Sequence, residues 1–273
     1  MVKNLKIVIL GGDKRQKYLC ENLKNQGYIT EHITSGEGIK TKIENSDIII
    51  LPLPATKDKI TVFNTFSDNK IYLSDLKEFT NRQLILTCNY DFCEKNCIDY
   101  NKSEGFAIKN AIPTAEGAIA LAVANSENML FGSECLIIGF GRIGKILSLY
   151  LKSLGAKVTV SARKETDLNF IYSFGMNPIK TAEINKAAHK YDFVFNTVNS
   201  PVINDEFLTK TKPDALLVEL ASLPGGISGS KEKASCSIIN AQGLPGKFSP
   251  KAAAKILTET VLEILNNLKG EIL

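Results

Sequence analysis

Short runs of consecutive apolar residues alternate along this chain with stretches whose apolar positions recur at helical spacing. That is the pattern of strands buried on both faces by flanking helices. In the first half, residues 5–10, 28–33, 47–54, 71–73, 84–87 and 105–108 predict strands. A helix runs from the turn at 11–16 to Gly27, and a second is expected over 89–101. Pro113 suits a helix's first turn, so a helix is expected from 113 through the small residues of 117–124. The second half predicts strands at 135–138, 157–161, 177–180, 192–198, 215–220 and 237–241. Helices are expected at 142–154, 167–174 and 182–189, and a long amphipathic one from 249 to about 268.

Regular alternation of strand and helix places the chain in the α/β class, with two Rossmann-like doubly wound domains and an interdomain cleft between them. The expected division is residues 1–125 plus 249–273 as a substrate-side domain and 126–248 as a dinucleotide-binding domain. The last helix would pack back on the N-terminal domain. A length of 273 residues suits two cores.

The strongest motif is Gly139-Phe140-Gly141-Arg142-Ile143-Gly144, which follows an apolar strand and opens a helix. In G-x-G-x-x-G the first glycine permits the turn and the second admits a pyrophosphate. The third lets helix and strand approach. Gly139, Gly141, Arg142 and Ile143 are thus candidate cofactor contacts, on helix N–H groups that favour an anion. The next strand ends in Ser161-Ala162-Arg163 with no carboxylate before Glu165. A carboxylate there would select the free ribose hydroxyl of NAD, whereas Ser161 and Arg163 suit the 2′-phosphate of NADP. Asn196 and Thr197, at a later strand end, are expected at the ribose or carboxamide. Ser222 lies in a glycine-containing loop suited to an anion.

Composition narrows the partners. A net charge of +4 without a Lys/Arg block does not imply nucleic acid, and no apolar run approaches membrane-spanning length. A cytoplasmic setting follows, in which Cys20, Cys88, Cys93, Cys97, Cys135 and Cys236 are expected reduced. The spacing of Cys88, Cys93 and Cys97 matches no standard ligand set, so no metal is expected. Arg15, at a helix start, and Lys251, at the start of the last helix, are cations suited to a carboxylate. Asp13 reads equally as an N-cap. No histidine follows His189, so the usual proton acceptor of an alcohol dehydrogenase is missing. Oxidation of a dihydro ring, driven by aromatisation, needs less acid–base help.

Several blocks together carry a resemblance. They are Gly11-Gly12-Asp13-Lys14-Arg15-Gln16, Leu51-Pro52-Leu53-Pro54-Ala55-Thr56, Ile112-Pro113-Thr114-Ala115-Glu116-Gly117, Ala221-Ser222-Leu223-Pro224-Gly225-Gly226 and Gly243-Leu244-Pro245-Gly246 with Ser249-Pro250-Lys251. Over essentially its whole length the chain resembles the dipicolinate synthase A-subunit family of spore-forming bacteria. The resemblance implies NADP-dependent oxidation of a dihydrodipicolinate-type precursor to pyridine-2,6-dicarboxylate in the mother-cell cytoplasm, alongside a flavoprotein-like B subunit. It implies substrate contacts from Arg15, Thr56, Thr114 and Lys251, with Asp13 or Glu116 taking the ring proton. Homo-oligomerisation is compatible with it. Another NADP-linked two-domain dehydrogenase, or a nucleotide-binding subunit without catalysis, remains an alternative on the residues alone.

Overall fold

A computed structural model describes residues 5–80, 82–90 and 96–272. They fall into two compact units, Met1–Asn110 with Ser249–Leu273, and Ala111–Phe248.

The first unit contains β1 (Lys6–Leu10), α1 (Lys14–Asn25), β2 (Ile29–Ile33), α2 (Ile39–Glu44), β3 (Ile48–Ile50), α3 (Leu73–Phe79), β4 (Leu84–Thr87) and β5 (Cys97–Asp99). The strands make one parallel sheet in the order β2-β1-β3-β4-β5. Successive residues of β1 feed opposite faces, as strand geometry requires. Ile7 and Ile9 pack with Leu19 and Leu23, whereas Val8 and Leu10 pack with Ile39, Ile43 and Leu76. The chain's last helix covers the first of these faces. Its Leu257, Val261 and Leu265 join Leu19 and Leu23, each burial contributing about 1.5–3 kcal/mol.

Helix α4 (Glu104–Ala124) leads into the second unit. There follow β6 (Glu134–Ile138), α5 (Arg142–Ser153), β7 (Lys157–Ala162), α6 (Glu165–Ser173), β8 (Asn177–Lys180), α7 (Ile184–Ala187), β9 (Phe193–Asn196), α8 (Asp205–Lys210), β10 (Leu216–Glu219), β11 (Ser237–Asn240) and α9 (Leu244–Phe248). Helix α10 (Pro250–Ile272), the one already packed on α1, closes the chain. The second sheet is parallel, in the order β11-β10-β9-β6-β7-β8. Counted from β6, this is the dinucleotide-binding order 3-2-1-4-5-6 read from its other edge, and its topological switch point lies between β6 and β9.

Several expectations change. Residues 71–73 form no strand: Leu73 opens α3, and Tyr72 makes only an isolated bridge to Thr61. Burial of Ile71 and Leu73 satisfies either geometry, and so short a run does not choose between them. Residues 105–108 are helical, and Pro113 lies inside α4 rather than opening it. The backbone passes through Pro113 at the expense of one ladder hydrogen bond. Of the helix expected over 89–101, residues 91–95 lie outside the described residues, and Cys97–Asp99 is β5, in register with Ile85–Thr87. The units divide at 110/111 rather than 125/126, because Ala115, Ala118 and Ala122 belong to the core around Cys135 and Ile137. Cys20, Cys88, Cys135 and Cys236 are free and buried, but Cys97 is disulfide-bonded.

Candidate functional site

Each unit has a strand–glycine–helix turn at its first strand, and the two turns are built differently. In the second unit, Gly139 has φ +102°, and an added Cβ would stand 2.5 Å from Val198 Cγ1 and 2.7 Å from Thr197 Oγ1. At Gly144 an added Cβ would stand 2.1 Å from the Gly139 carbonyl oxygen. Helix α5 therefore meets the end of β6 only because residue 144 has no side chain. At Gly141 an added Cβ meets nothing within 4 Å. Gly141 is the N-cap of α5 and provides no side-chain cap. Arg142 is exposed and Ile143 half-buried in the first turn of that helix. The positive end of α5 is thus presented beside an uncluttered glycine, the arrangement that takes an anionic group.

The first unit's turn is already filled. Gly11 N–H donates to the Ile33 carbonyl at 2.8 Å and Gly12 N–H to the Phe63 carbonyl at 2.6 Å. His32 Nε2 donates to the Gly11 carbonyl at 2.7 Å, and burial holds its pKa below the usual histidine value. Asp13 caps α1 in a capping box with Gln16. Arg15 then takes both oxygens of Asp13, through Nε at 2.9 Å to Oδ1 and Nη2 at 2.9 Å to Oδ2, and also donates to the Leu53 carbonyl. The proposed base and the proposed substrate cation neutralise one another. No comparable anion seat is left at α1.

At the switch point, Thr197 Oγ1 donates to the Ile138 carbonyl at 2.9 Å. Asn196 is fully buried, and its Nδ2 donates to Val198 O at 3.0 Å and Glu219 Oε1 at 2.7 Å. Its Oδ1 accepts from Val198 N–H at 3.2 Å. Contrary to expectation, Asn196 keeps no amide hydrogen for a ribose or carboxamide in this arrangement. Glu219 is a residue that sequence reading passed over. Its carboxylate also accepts from Ala221 N–H at 2.9 Å and Gly226 N–H at 3.1 Å. The signal was present: a carboxylate inside the otherwise apolar run Leu216-Leu217-Val218-Glu219-Leu220 must be buried with donors around it.

The remaining candidates are spread over both units. Ser161 is wholly buried, with Gly139 N–H 3.3 Å and Thr181 Oγ1 3.3 Å from its hydroxyl. Ala162 is buried beside it, and Arg163 is exposed at the end of β7. Ser222 is exposed, and its carbonyl accepts from Gly225 N–H at 2.8 Å. Thr56 caps its own loop, Oγ1 donating to Asp58 Oδ1 at 3.1 Å and accepting from Lys59 N–H at 3.0 Å. Thr114 is half-buried in α4; Glu116 is exposed in that helix's interior, not at a helix start. Lys251 is exposed in the first turn of α10. Among the described residues, no group of His, Cys, Asp or Glu is placed to hold a metal ion. No described helix is long and apolar enough to cross a membrane.

The second unit's turn fits a dinucleotide on its own geometry. Gly139, Gly141 and Gly144 sit where a side chain would block the turn, the phosphates or the helix. Arg163, exposed after β7, stands at the strand end that reads the ribose.

Comparison with known proteins agrees with this division. Residues 6–90 match the family described as the N-terminal domain of the dipicolinate synthase A subunit. Residues 115–222 match the NAD binding domain of D-isomer specific 2-hydroxyacid dehydrogenase. The dipicolinate synthase A subunit of Bacillus subtilis is 30% identical over 295 aligned positions, covering 99% of each chain. Among solved structures, the dipicolinate synthase A chain from Bacillus subtilis superposes with a TM-score of 0.85 at 28% identity over 99% of both chains. Its counterpart from Bacillus halodurans superposes at 0.87 with 24% identity, over 97% of this chain and 99% of that one.

Proposed function

The chain belongs to the dipicolinate synthase A-subunit family, and from that membership we propose that it is the NADP-dependent oxidoreductase component of that enzyme. It oxidises a dihydrodipicolinate-type precursor to pyridine-2,6-dicarboxylate, works with a flavoprotein-like B subunit, and does so in the cytoplasm of the sporulating mother cell.

The observation that carries this reading is the uncapped N-terminus of α5 beside Gly141, against the self-filled turn at α1. Bound NADP+ supplies the hydride acceptor. The chain's own residues do the rest. Helix α5 and Gly141 receive the pyrophosphate. Arg163 pairs with the 2′-phosphate through its planar fork, and the absence of a carboxylate at the end of β7 removes the repulsion an NAD site would impose. Ser161, being buried, props the turn beneath Arg163. In the first unit, exposed Lys251 is the cation offered to a substrate carboxylate. Of the two carboxylates read as proton acceptors, Glu116 is an exposed residue, whereas Asp13 is held by Arg15. Formation of an aromatic pyridine provides the driving force, so a strong general base is unnecessary.

The test is to feed the purified chain the lysine-pathway precursor generated in situ. NADPH and dipicolinate absorbance are followed together, with and without the B subunit. Matched appearance of both products supports the reading. Tight NADP+ binding without turnover, even with the partner, would leave a nucleotide-binding subunit that is not the catalyst.

A further inference from the structure

The mechanism above makes no use of Glu219, a carboxylate only 4% exposed at the last position of β10. All three of its partners are N–H donors: Asn196 Nδ2 at 2.7 Å, Ala221 N at 2.9 Å and Gly226 N at 3.1 Å. A carboxylate accepts all three without conflict, whereas a protonated carboxyl would turn one oxygen into a donor. An added Cβ on Gly226 would stand 2.3 Å from Asn196 Nδ2, so that glycine is what lets the loop close on the pair. A cavity of about 230 Å³ borders Glu219 and carries Lys231, Asn240 and Gln242. Lys231 gives its ammonium to Asn240 Oδ1 at 3.3 Å. Among the described residues the partners of this carboxylate are dipoles and not a cation.

Its position gives that charge a role. In this strand order β6–β8 form one mononucleotide half and β9–β11 the other. Gly139 and Arg163 belong to the phosphate and adenosine half. The ends of β9 and β10, where Asn196 and Glu219 meet, belong to the nicotinamide half. A nicotinamide ring is cationic when oxidised and neutral when reduced. A buried anion is weakly screened and attracts only the oxidised ring.

We propose that Glu219 makes this unit prefer the oxidised dinucleotide over the reduced one, while its hydrogen bonds hold the 221–226 loop on the end of β9. The preference favours loading with the oxidised form and release once the ring has lost its charge, at the expense of the bound ring's strength as a hydride acceptor. The inference rests on the dinucleotide reading of the second unit.

The test titrates NADP+ and NADPH separately into the full-length wild type, Glu219→Gln and Asn196→Ala, by calorimetry. Wild type is expected to bind NADP+ more tightly. Glu219→Gln is expected to shrink that preference about tenfold, mostly by weakening NADP+. Asn196→Ala, which loosens the clasp but keeps the charge, is expected to weaken both forms and retain the ratio. Equal weakening of both forms by Glu219→Gln would overturn the proposal, as would collapse of the ratio in Asn196→Ala. The wild-type ratio stands as a test even if Glu219→Gln fails to fold: NADPH bound as tightly as NADP+ overturns the idea. Wild type that binds neither form overturns the dinucleotide reading as well, a result distinct from binding without preference.

Discussion

Arg15 grips Asp13 two residues before it as a bidentate pair, with the Arg15 side chain 4% and the Asp13 side chain 19% exposed. A residue read as a substrate cation and one read as a base are each other's partner, at the start of α1. The pair also ties that start to the Leu53 carbonyl. Removing one member strands the other's charge where water reaches it poorly.

Arg15→Ala is accordingly expected to destabilise the first unit by about 3 kcal/mol, read from urea unfolding. Arg15→Lys should recover less than half of that, because an ammonium cannot reproduce the fork. Dinucleotide affinity should be untouched. A variant as stable as wild type would show that the pair does not hold the turn.

Gly141 and Gly144 separate ligand approach from packing. Gly144→Ala forces a Cβ onto the Gly139 carbonyl and should lower both the melting temperature and nucleotide affinity. Gly141→Ala meets open space at φ −81°, an ordinary value for alanine. It should melt like wild type and yet lose at least about tenfold in dinucleotide affinity. Unchanged affinity would remove the pyrophosphate from α5.

Arg163→Ala should weaken NADP+ by about 1.5–3 kcal/mol, the range for a charge-assisted hydrogen-bonded contact. NAD+ binding should stay within about twofold, since NAD+ lacks the phosphate that Arg163 addresses. Parallel calorimetry with the two cofactors decides it. Equal losses on both would mean that Arg163 acts on something they share.

Burial, with Asp192 and Glu134 nearby, pushes the Cys135 thiol up to about 12. An unfolded thiol titrates near 8.5. Between those values the unfolded chain has lost a proton that the folded chain keeps. The thiol's share of stability is whole below the lower value and falls as pH rises through the window. Cys135→Ala should make the alkaline fall in unfolding free energy shallower, by up to about 1.4 kcal/mol per pH unit. Identical slopes would contradict the shifted thiol. In the native protein burial keeps Cys135 protonated and out of contact with solvent near pH 8, so thiol reagents should reach it only after unfolding.

Much of the architecture was legible because it is carried by local rules. A buried strand, three spaced glycines and an amphipathic helix specify the turn at 139–144 in any context, and that turn presents the N-terminus of α5 without a side-chain cap. Apolar runs marked most strands. The amphipathic period of 249–268 marked the helix that joins α1, its Leu257, Val261 and Leu265 lying on one face.

What the sequence by itself determined was the class of fold, most of the sheet strands and the glycine turn, since each depends on backbone sterics and periodicity within a short window. Tertiary structure decided the rest. Whether residues 105–108 continue a helix through Pro113 depends on what that helix packs against, because a short apolar run satisfies strand and helix alike. Whether Arg15 and Asn196 face a ligand or the protein depends on partners brought from elsewhere in the chain. Polar side chains carry no mark of direction. Their hydrogen bonds are assigned only when Leu53 and Glu219 arrive beside them, and burial then makes leaving either unpaired too costly.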